Sequence, residues 1–340
     1  MIDAVVLPKA ELHVHVEGTL EPELLFKCAE RHKLQLEYAN VDALRAAYRF
    51  SGLSSFLKLY YQAMSVLRHE QDFYDLTTAY LKRAVSQGVR HAEIFFDPQA
   101  HNSRGVALDI VVEGISQALR DGERDLGVSA LLIPCFLRDK TPESAAMMLQ
   151  SLLRYKDRFV GIGLDSAEMG NPPSKFAAVF HRAKAEGLRL VCHAGEEGSP
   201  EYVWDAIQVL EAERIDHGVR SMEDLQLVEY LRQEQIPLTV CPLSNVRLHV
   251  VPSLAMHPLK RMLDAGLMVT CNSDDPAYFG GYVGDNFARC ADALRLTTSE
   301  TITLARNSFN ASFIGDAAKR GFLDELDAYV ASVATPSVMD

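Results

Sequence analysis

The sequence predicts an α/β fold, a TIM (β/α)8 barrel with a helical insertion after the first strand. Three observations lead to this expectation: eight apolar strand-like runs, amphipathic stretches between them, and a length of 340 residues. Most of the runs are continuously apolar, which is typical of parallel strands covered on both faces. Eight βα units in a chain of this length favour a closed barrel over two doubly wound halves, and an open parallel sheet is the alternative.

The strand-like runs recur along the chain with helical patterns between them. They are ELHVHV (11–16), HAEIFF (91–96), SALLIPCFL (129–137), FVGIGLDS (159–166), RLVCHAG (189–195), RIDHGV (214–219), PLTVCPLS (237–244) and LMVTCNSDD (267–275). The stretches DFYDLTTAYLKRAVSQG (72–88) and PSKFAAVFHRAKAEG (173–187) are amphipathic and end in glycine after basic residues, a common helix stop. We therefore expect strands and helices to alternate.

One connection departs from this repeat. About seventy residues separate the first strand from the second, far more than a βα connection needs. We expect a helical insertion at about 19–75, including SSFLKLYYQAMSVL (54–67), which forms either a lid or pocket wall at the barrel mouth or an additional packing layer. The rest of residues 1–340 forms a single barrel domain, and residues from about 328 to 340 resemble a frayed tail.

Composition and charge exclude several functional classes. The formal net charge of −12 argues against a nucleic-acid partner and against an anionic membrane surface. No apolar run approaches the length of a membrane span, and the N-terminus lacks the layout of a signal peptide. The six cysteines are scattered without a Cys-x-x-Cys pair, so we expect reduced core thiols in a cytoplasmic protein. The sequence leaves open whether the chain forms a homo-oligomer.

Metal-binding and acid–base residues gather where the predicted strands end. His13 and His15 are two positions apart, which places them on one face of a strand, although two hydrogen-bonded core histidines would show the same spacing. Chemistry in TIM barrels lies at the C-terminal strand ends. Three further ends carry such residues, namely His193 and Glu196, Asp216 and His217, and Asp274 and Asp275. Adjacent buried carboxylates repel unless a cation is present, which favours a metal site.

These residues suggest distinct roles. A set of three imidazoles and one carboxylate suits zinc, and the predicted ligands are His13, His15, His193 and Asp274. Such an ion lowers the pKa of a bound water from about 16 toward 7. We expect His217 to orient that water and accept its proton, and Glu196 to donate a proton to a ring nitrogen of the substrate. Asp275 remains free to accept a hydrogen bond from the substrate.

The ordered motifs resemble the adenosine/adenine deaminase family of metal-dependent amidohydrolases. The motifs are ELHVHVEG (11–18), HAGEEGSPE (193–201), RIDHGV (214–219), CPLSN (241–245) and NSDDPAYFGGY (272–282). The resemblance implies one zinc ion per subunit on the four ligands above, with iron(II) as an alternative. It also implies Glu196 as proton donor to purine N1, His217 as the group that orients hydroxide, and Asp275 as a contact to purine N7. The implied reaction replaces an exocyclic 6-amino group by oxygen and releases ammonia.

Two related metal chemistries do not fit. Zinc deaminases that act on flipped bases use H-x-E with P-C-x-x-C, whereas Pro134-Cys135 is not followed by the second cysteine. Binuclear amidohydrolases usually carry a bridging lysine at the end of strand four, and residues 161–166 contain none. We therefore expect a single metal ion.

The substrate is expected to be a base and not a nucleoside. The family's adenosine deaminases carry aspartate where this chain has Glu17, and we expect this longer acid to contact the substrate and crowd the sugar space. They typically carry Leu-Ala-Gly where this chain has Ser166-Ala167-Glu168, and residues 275–282 resemble the adenine deaminase branch. The expected reaction is adenine to hypoxanthine in purine salvage. Alternatives are adenosine, N6-substituted adenines, another amidohydrolase chemistry or a catalytically silent binding barrel.

Overall fold

Eight parallel strands form one sheet in the computed structural model, which describes residues 2–334. Each strand pairs with the next in chain order. The strands are β1 Lys9–His15, β2 Val89–Phe96, β3 Ser129–Leu137, β4 Gly161–Asp165, β5 Arg189–Ala194, β6 Arg214–His217, β7 Leu238–Val240 and β8 Val269–Cys271. This order confirms the predicted (β/α)8 architecture.

The first and last strands close the barrel through backbone hydrogen bonds. Asp274, just beyond β8, bridges to Val14 in a parallel arrangement. Asp274 N donates to His13 O at 3.0 Å, and His15 N donates to Asp274 O at 3.0 Å. An open sheet would leave both edge strands unpaired, so these bonds exclude the alternative of an open sheet.

The last two strands are shorter than the sequence predicted. The runs at 237–244 and 267–275 contain only three strand residues each. Pro242 begins a helix directly after β7, because its fixed φ suits the first helical position and it lacks the N–H that a strand would use. After β8, Asp274 has a φ of 66°, which is incompatible with an extended strand.

The connecting helices begin in a recurrent way. Within residues 2–334 they are α1 Pro22–Arg31, α2 Val41–Ala47, α3 Leu53–Ala63, α4 Glu70–Ser86, α5 Pro98–Ser103, α6 Leu108–Leu126, α7 Pro142–Leu152, α8 Ala177–Ala185, α9 Pro200–Gln208, α10 Leu225–Glu234, α11 Pro242–Arg247, α12 Leu259–Asp264, α13 Pro276–Phe279, α14 Val283–Ala293, α15 Thr298–Asn310 and α16 Asp316–Ala334. Six of them, α1, α5, α7, α9, α11 and α13, begin at proline. Proline suits the first helical position because its fixed φ matches the helix and the N–H that it lacks would have no partner within the helix.

The long first connection is helical, as predicted. Helices α1, α2 and α3 occupy its first part, and α4 is the helix that leads into β2. The predicted tail is partly wrong, because α16 continues to Ala334 and so includes residues 328–334. That stretch holds no glycine or proline to stop the helix, and residues 335–340 lie outside the described range. In the part of the chain that the structure describes, no helix is long and apolar enough to span a membrane.

Buried polar groups below the barrel mouth anchor the end of β8 to β1. The Glu11 carboxylate accepts hydrogen bonds from Tyr80 Oη at 2.7 Å and from Ser273 N at 3.2 Å. Asn272 Oδ1 accepts a hydrogen bond from Leu12 N at 2.9 Å. Because Asn272 and Ser273 precede Asp274, these contacts fix where Asp274 enters the mouth of the barrel.

We predict that packing of α6 against α4 makes Gly114 sensitive to substitution. A Cβ at Gly114 would lie 2.5 Å from Glu70 O and 2.9 Å from Phe73 Cβ, so Gly114→Ala forces the two helices apart. We expect a loss of about 1–3 kcal/mol in the free energy of unfolding, measured by urea denaturation. Gly122→Ala on the same helix is the control, because its Cβ would meet only the terminal Cδ1 of Leu81, which can rotate. Equal stability of the two variants would contradict the prediction.

Candidate active site and metal centre

Side chains at the ends of β1, β5 and β8 converge inside the mouth of the barrel. His15 Nε2 lies 3.1 Å from His193 Nε2. Asp274 Oδ1 lies 3.5 Å from His13 Nε2 and 3.6 Å from His15 Nε2. All four side chains are buried. The structure therefore brings together the four residues that the sequence predicts as metal ligands.

Hydrogen bonds behind the imidazoles determine which ring nitrogens face the centre. Thr239 Oγ1 donates its one hydrogen to Asp216 Oδ1 at 2.8 Å, so it must accept from His13 Nδ1 at 2.9 Å. Asp216 Oδ2 lies 3.3 Å from His193 Nδ1, and Asp165 Oδ2 lies 3.6 Å from His15 Nδ1. A proton on the Nδ1 of each ring would point at these oxygen atoms, and the Nε2 lone pairs would then face the centre.

The donor set fits a divalent metal ion. His13 Nε2 is buried without a hydrogen-bond partner, which is unusual for a polar atom unless an ion completes its surroundings. Burial and the charge of His193 lower the pKa of His15 well below its usual value, so that imidazole is neutral, as a ligand must be. Burial opposes ionisation of Asp274, but its interactions with the neighbouring imidazoles, above all with His13, outweigh burial and lower the Asp274 pKa.

Cys241 is a further potential metal ligand, but a less suitable one. Donor atoms of Cys241, His13, His217 and Asp274 all lie within 4.8 Å of one another. Burial and the charge of Asp274 raise the pKa of the Cys241 thiol well above its usual value. A thiol in that state is a poor ligand because metals bind the thiolate. The three imidazoles and Asp274 therefore remain the favoured set.

Glu196 and His217 lie next to this centre. His217 Nε2 is 3.6 Å from Glu196 Oε2 and 3.8 Å from Asp274 Oδ2. Burial, followed by the charges of Asp274, Glu168 and Glu197, raises the pKa of Glu196 well above its usual value. Burial, followed by the charge of His13, lowers the pKa of His217. These shifts favour the protonated form of Glu196 and the neutral form of His217, the pairing that acid–base catalysis requires.

Asp275 and Glu17, the other two predicted site residues, differ in whether they reach the cavity. Asp275 precedes α13 and lines the cavity, whereas Glu17 is fully buried and is not among the cavity-lining residues. Glu17 Oε1 lies 2.6 Å from His101 Nε2 and accepts a hydrogen bond from Asp97 N at 3.0 Å. Glu17 therefore supports Asp97 directly, and its contact with a substrate remains a prediction.

Helix α3 of the insertion forms one wall of the cavity. It contributes Leu53, Phe56, Leu57, Tyr60 and Tyr61. The ring of Phe56 packs against that of Phe279 with a centroid distance of 4.7 Å, and Tyr61 Oη lies 3.0 Å from Ser166 Oγ. This placement agrees with the interpretation of the insertion as a pocket wall and encloses the site between apolar and aromatic side chains.

Several residues of the site were missed at the level of sequence. Asp97 and Asp165 follow or end predicted strands, the same signal that identified Asp274, and both line the cavity. Ser166, His217 and Asp274 share a left-handed backbone, with φ of 71°, 65° and 66°. Such a conformation costs about 1–3 kcal/mol for a residue other than glycine, and no sequence pattern indicates it here.

Relatives of known sequence and structure resemble this chain over nearly its whole length. The adenine deaminase of Streptomyces coelicolor is 60% identical over 325 residues, which cover 95% of this chain and 96% of the relative. The crystal structure of adenine deaminase from Arthrobacter aurescens has a TM-score of 0.94 at 56% identity, covering 95% of this chain and 99% of the other. A Zn-bound amidohydrolase structure from Burkholderia ambifaria has a TM-score of 0.88 at 26% identity, covering 97% and 93%.

A family model described as "Adenosine deaminase" matches residues 8–329. The matched range contains all eight strands and every residue of the site described above. Because the match spans nearly the whole chain and is accompanied by full-length relatives of high identity, the protein belongs to the adenosine deaminase family.

Proposed function

We propose that this enzyme hydrolyses adenine to hypoxanthine and ammonia in purine salvage. The observation that carries the proposal is the convergence of three imidazoles and Asp274 beside Glu196 and His217 at the mouth of the barrel. The reaction adds water to C6 of the purine and expels the exocyclic amino group as ammonia. The full-length relatives named adenine deaminase support adenine as the substrate.

Zinc is the ion that we propose for the centre, at one per subunit, with iron(II) as the alternative. His13, His15, His193 and Asp274 would hold it, since nitrogen and carboxylate oxygen ligands in this ratio suit both ions. The Zn-bound relative supports zinc. When bound, zinc supplies a Lewis acid that makes water nucleophilic near neutral pH.

Two side chains move protons in the proposed reaction. Glu196, whose raised pKa keeps it protonated, donates to purine N1 as the water oxygen attacks C6, so that the ring can accept the electron pair. His217 is neutral, because burial lowers its pKa, and it orients the attacking water and accepts its proton. The distance of 3.6 Å between His217 Nε2 and Glu196 Oε2 places both groups beside the same reacting centre.

Asp275 orients the base in this proposal. Burial and the neighbouring Asp274 raise the pKa of Asp275 well above its usual value. The sequence predicts that Asp275 accepts a hydrogen bond from the substrate; in this proposal its carboxyl group instead retains its proton and donates one. Purine N7, which offers a lone pair, is the matching acceptor.

Unpaired acceptors around the cavity favour a free base over a nucleoside. Two carboxyl oxygens of buried residues that line the cavity, Asp97 Oδ1 and Asp165 Oδ1, lack a hydrogen-bond partner. Adenine has a hydrogen on one nitrogen of its five-membered ring, and in adenosine the sugar is bonded to that nitrogen in place of the hydrogen. A site that is built to bind such a donor rejects an analogue without it, because its buried acceptors then remain unpaired.

The charge and the cysteines of the chain support proposals for its partner and its compartment. We propose a small purine base as the partner, and the net charge of −12 opposes a nucleic-acid partner. All six cysteines are free and buried, as is usual in a reducing compartment, and we propose the cytoplasm.

We predict a strong preference for adenine over adenosine. The expected ratio of kcat/KM is on the order of 10³ or more, because adenosine lacks the ring N–H. Ultraviolet absorbance assays on adenine, adenosine and N6-substituted adenines would measure it. A higher kcat/KM for adenosine or for an N6-substituted adenine would refute adenine as the substrate.

We predict that Glu196→Gln abolishes most turnover and retains the metal. The amide has the same shape but cannot transfer a proton, so kcat should fall on the order of 10²–10⁴-fold. The matched control is Glu201→Gln, an exposed position on α9, which should retain normal kcat. Near-normal activity of Glu196→Gln would show that this residue is not the proton donor.

We predict that His13→Ala lowers metal content, because the remaining three ligands hold the ion more weakly. Elemental analysis of purified protein should find well under one ion per chain, compared with about one in the unsubstituted protein. His181→Ala, at an exposed position on α8, should leave metal content unchanged. Full occupancy in His13→Ala would remove His13 from the ligand set.

A further inference from the structure

A buried carboxylate from the loop after β4 binds the loop that carries Glu196. Glu168 lies three residues beyond β4, and its side chain is buried. Its Oε1 accepts a hydrogen bond from Gly195 N at 2.7 Å. Its Oε2 accepts from the N–H groups of Glu196, Glu197 and Gly198 at 3.1, 2.8 and 2.8 Å. Four consecutive backbone N–H groups therefore converge on one anion.

The loop is shaped for this contact. It joins β5 to α9 outside regular secondary structure, so its N–H groups have no partners in a helix or strand. Gly195 has a left-handed φ of 69°, and a Cβ at Gly198 would lie 2.5 Å from Glu168 Oε1. Successive N–H groups that point to one side of a turn form a concave anion site, which Glu168 fills from within the chain.

We propose that Glu168 is a positioning residue for the deamination, because it holds the backbone of Glu196 so that the Glu196 carboxyl group faces His217 and the base. This inference rests on the proposed function, in which Glu196 is the proton donor. The Glu196 side chain has few restraints of its own. Its Oε1 is 3.3 Å from Asn245 Nδ2, and its Oε2 is 3.6 Å from His217 Nε2. Because both contacts are long, the position of the carboxyl group depends on its backbone.

Glu168 is itself held through a buried arginine. Asn171 N donates to Glu168 O at 3.0 Å, and Asn171 Nδ2 donates to Ala167 O at 2.9 Å. Arg138 Nε donates to Asn171 O at 2.9 Å, and Arg138 Nη1 donates to His193 O. These hydrogen bonds join the loop after β4 to the loop after β5. They connect Glu168 to the backbone of His193, a predicted metal ligand, and to that of Glu196, the proposed proton donor.

The test substitutes Glu168 by glutamine, which keeps the shape but replaces one accepting oxygen by an NH2 group. We expect kcat for adenine to fall on the order of 10- to 100-fold while KM changes by less than about threefold. Metal content should remain that of the unsubstituted protein, and Glu201→Gln serves as the surface control. An unchanged kcat, or a loss confined to KM, would overturn the proposal.

A double substitution separates positioning from general structural support. If Glu168 acts through Glu196, adding Glu168→Gln to Glu196→Gln should lower kcat by less than about threefold further. Losses that multiply would overturn the proposal. Should Glu168→Gln fail to fold, Glu168→Asp supplies the test, since it keeps the charge on a shorter side chain. We expect reduced kcat with retained KM, and a normal kcat in that variant would also overturn the proposal.

The two single variants distinguish the proposed function from the positioning role. Near-normal turnover in Glu196→Gln would remove both Glu196 as the proton donor and the positioning role of Glu168. Loss of turnover in Glu196→Gln with normal turnover in Glu168→Gln would leave the proposed function intact and exclude only the positioning role.

Discussion

The backbone hydrogen bonds that join β1 to the segment after β8 hold both the barrel and its site together. Asp274 N and O bond to His13 O and His15 N, and the side chains of the same three residues face one another inside the mouth. Closure of the fold and assembly of the proposed metal centre are therefore one event. A change that opens this seam separates the carboxylate from both imidazoles, whatever happens to the other strands.

The fold was largely predictable because buried parallel strands are continuous apolar runs in the sequence. The eight runs correspond to the eight strands, and the glycine at 187 follows α8 as expected, with a φ of 79°. The errors lie where local chemistry overrides an apolar pattern. Pro242 turns the chain into a helix, and Asp274 adopts a left-handed backbone, so β7 and β8 stop early. At the other end of the chain, helical propensity extends α16 into the expected tail.

The site was predictable only for residues that bear recognisable chemistry next to a strand end. His13, His15 and Asp274 met that condition, and the structure places them together. Glu168 did not, because its importance lies in four backbone N–H groups whose direction no sequence motif records. Asp97 stands after β2 with no imidazole beside it in the sequence, so its place in the cavity emerges only from the closed barrel.

The seam between the ends of the chain also bears on how the protein is made. A ribosome produces the paired imidazoles of β1 long before it produces Asp274. An emerging chain thus carries an incomplete ligand set, and its first strand has no partner on one side, for most of its synthesis. Until β8 and Asp274 are made, that edge of β1 is open to pairing with another strand.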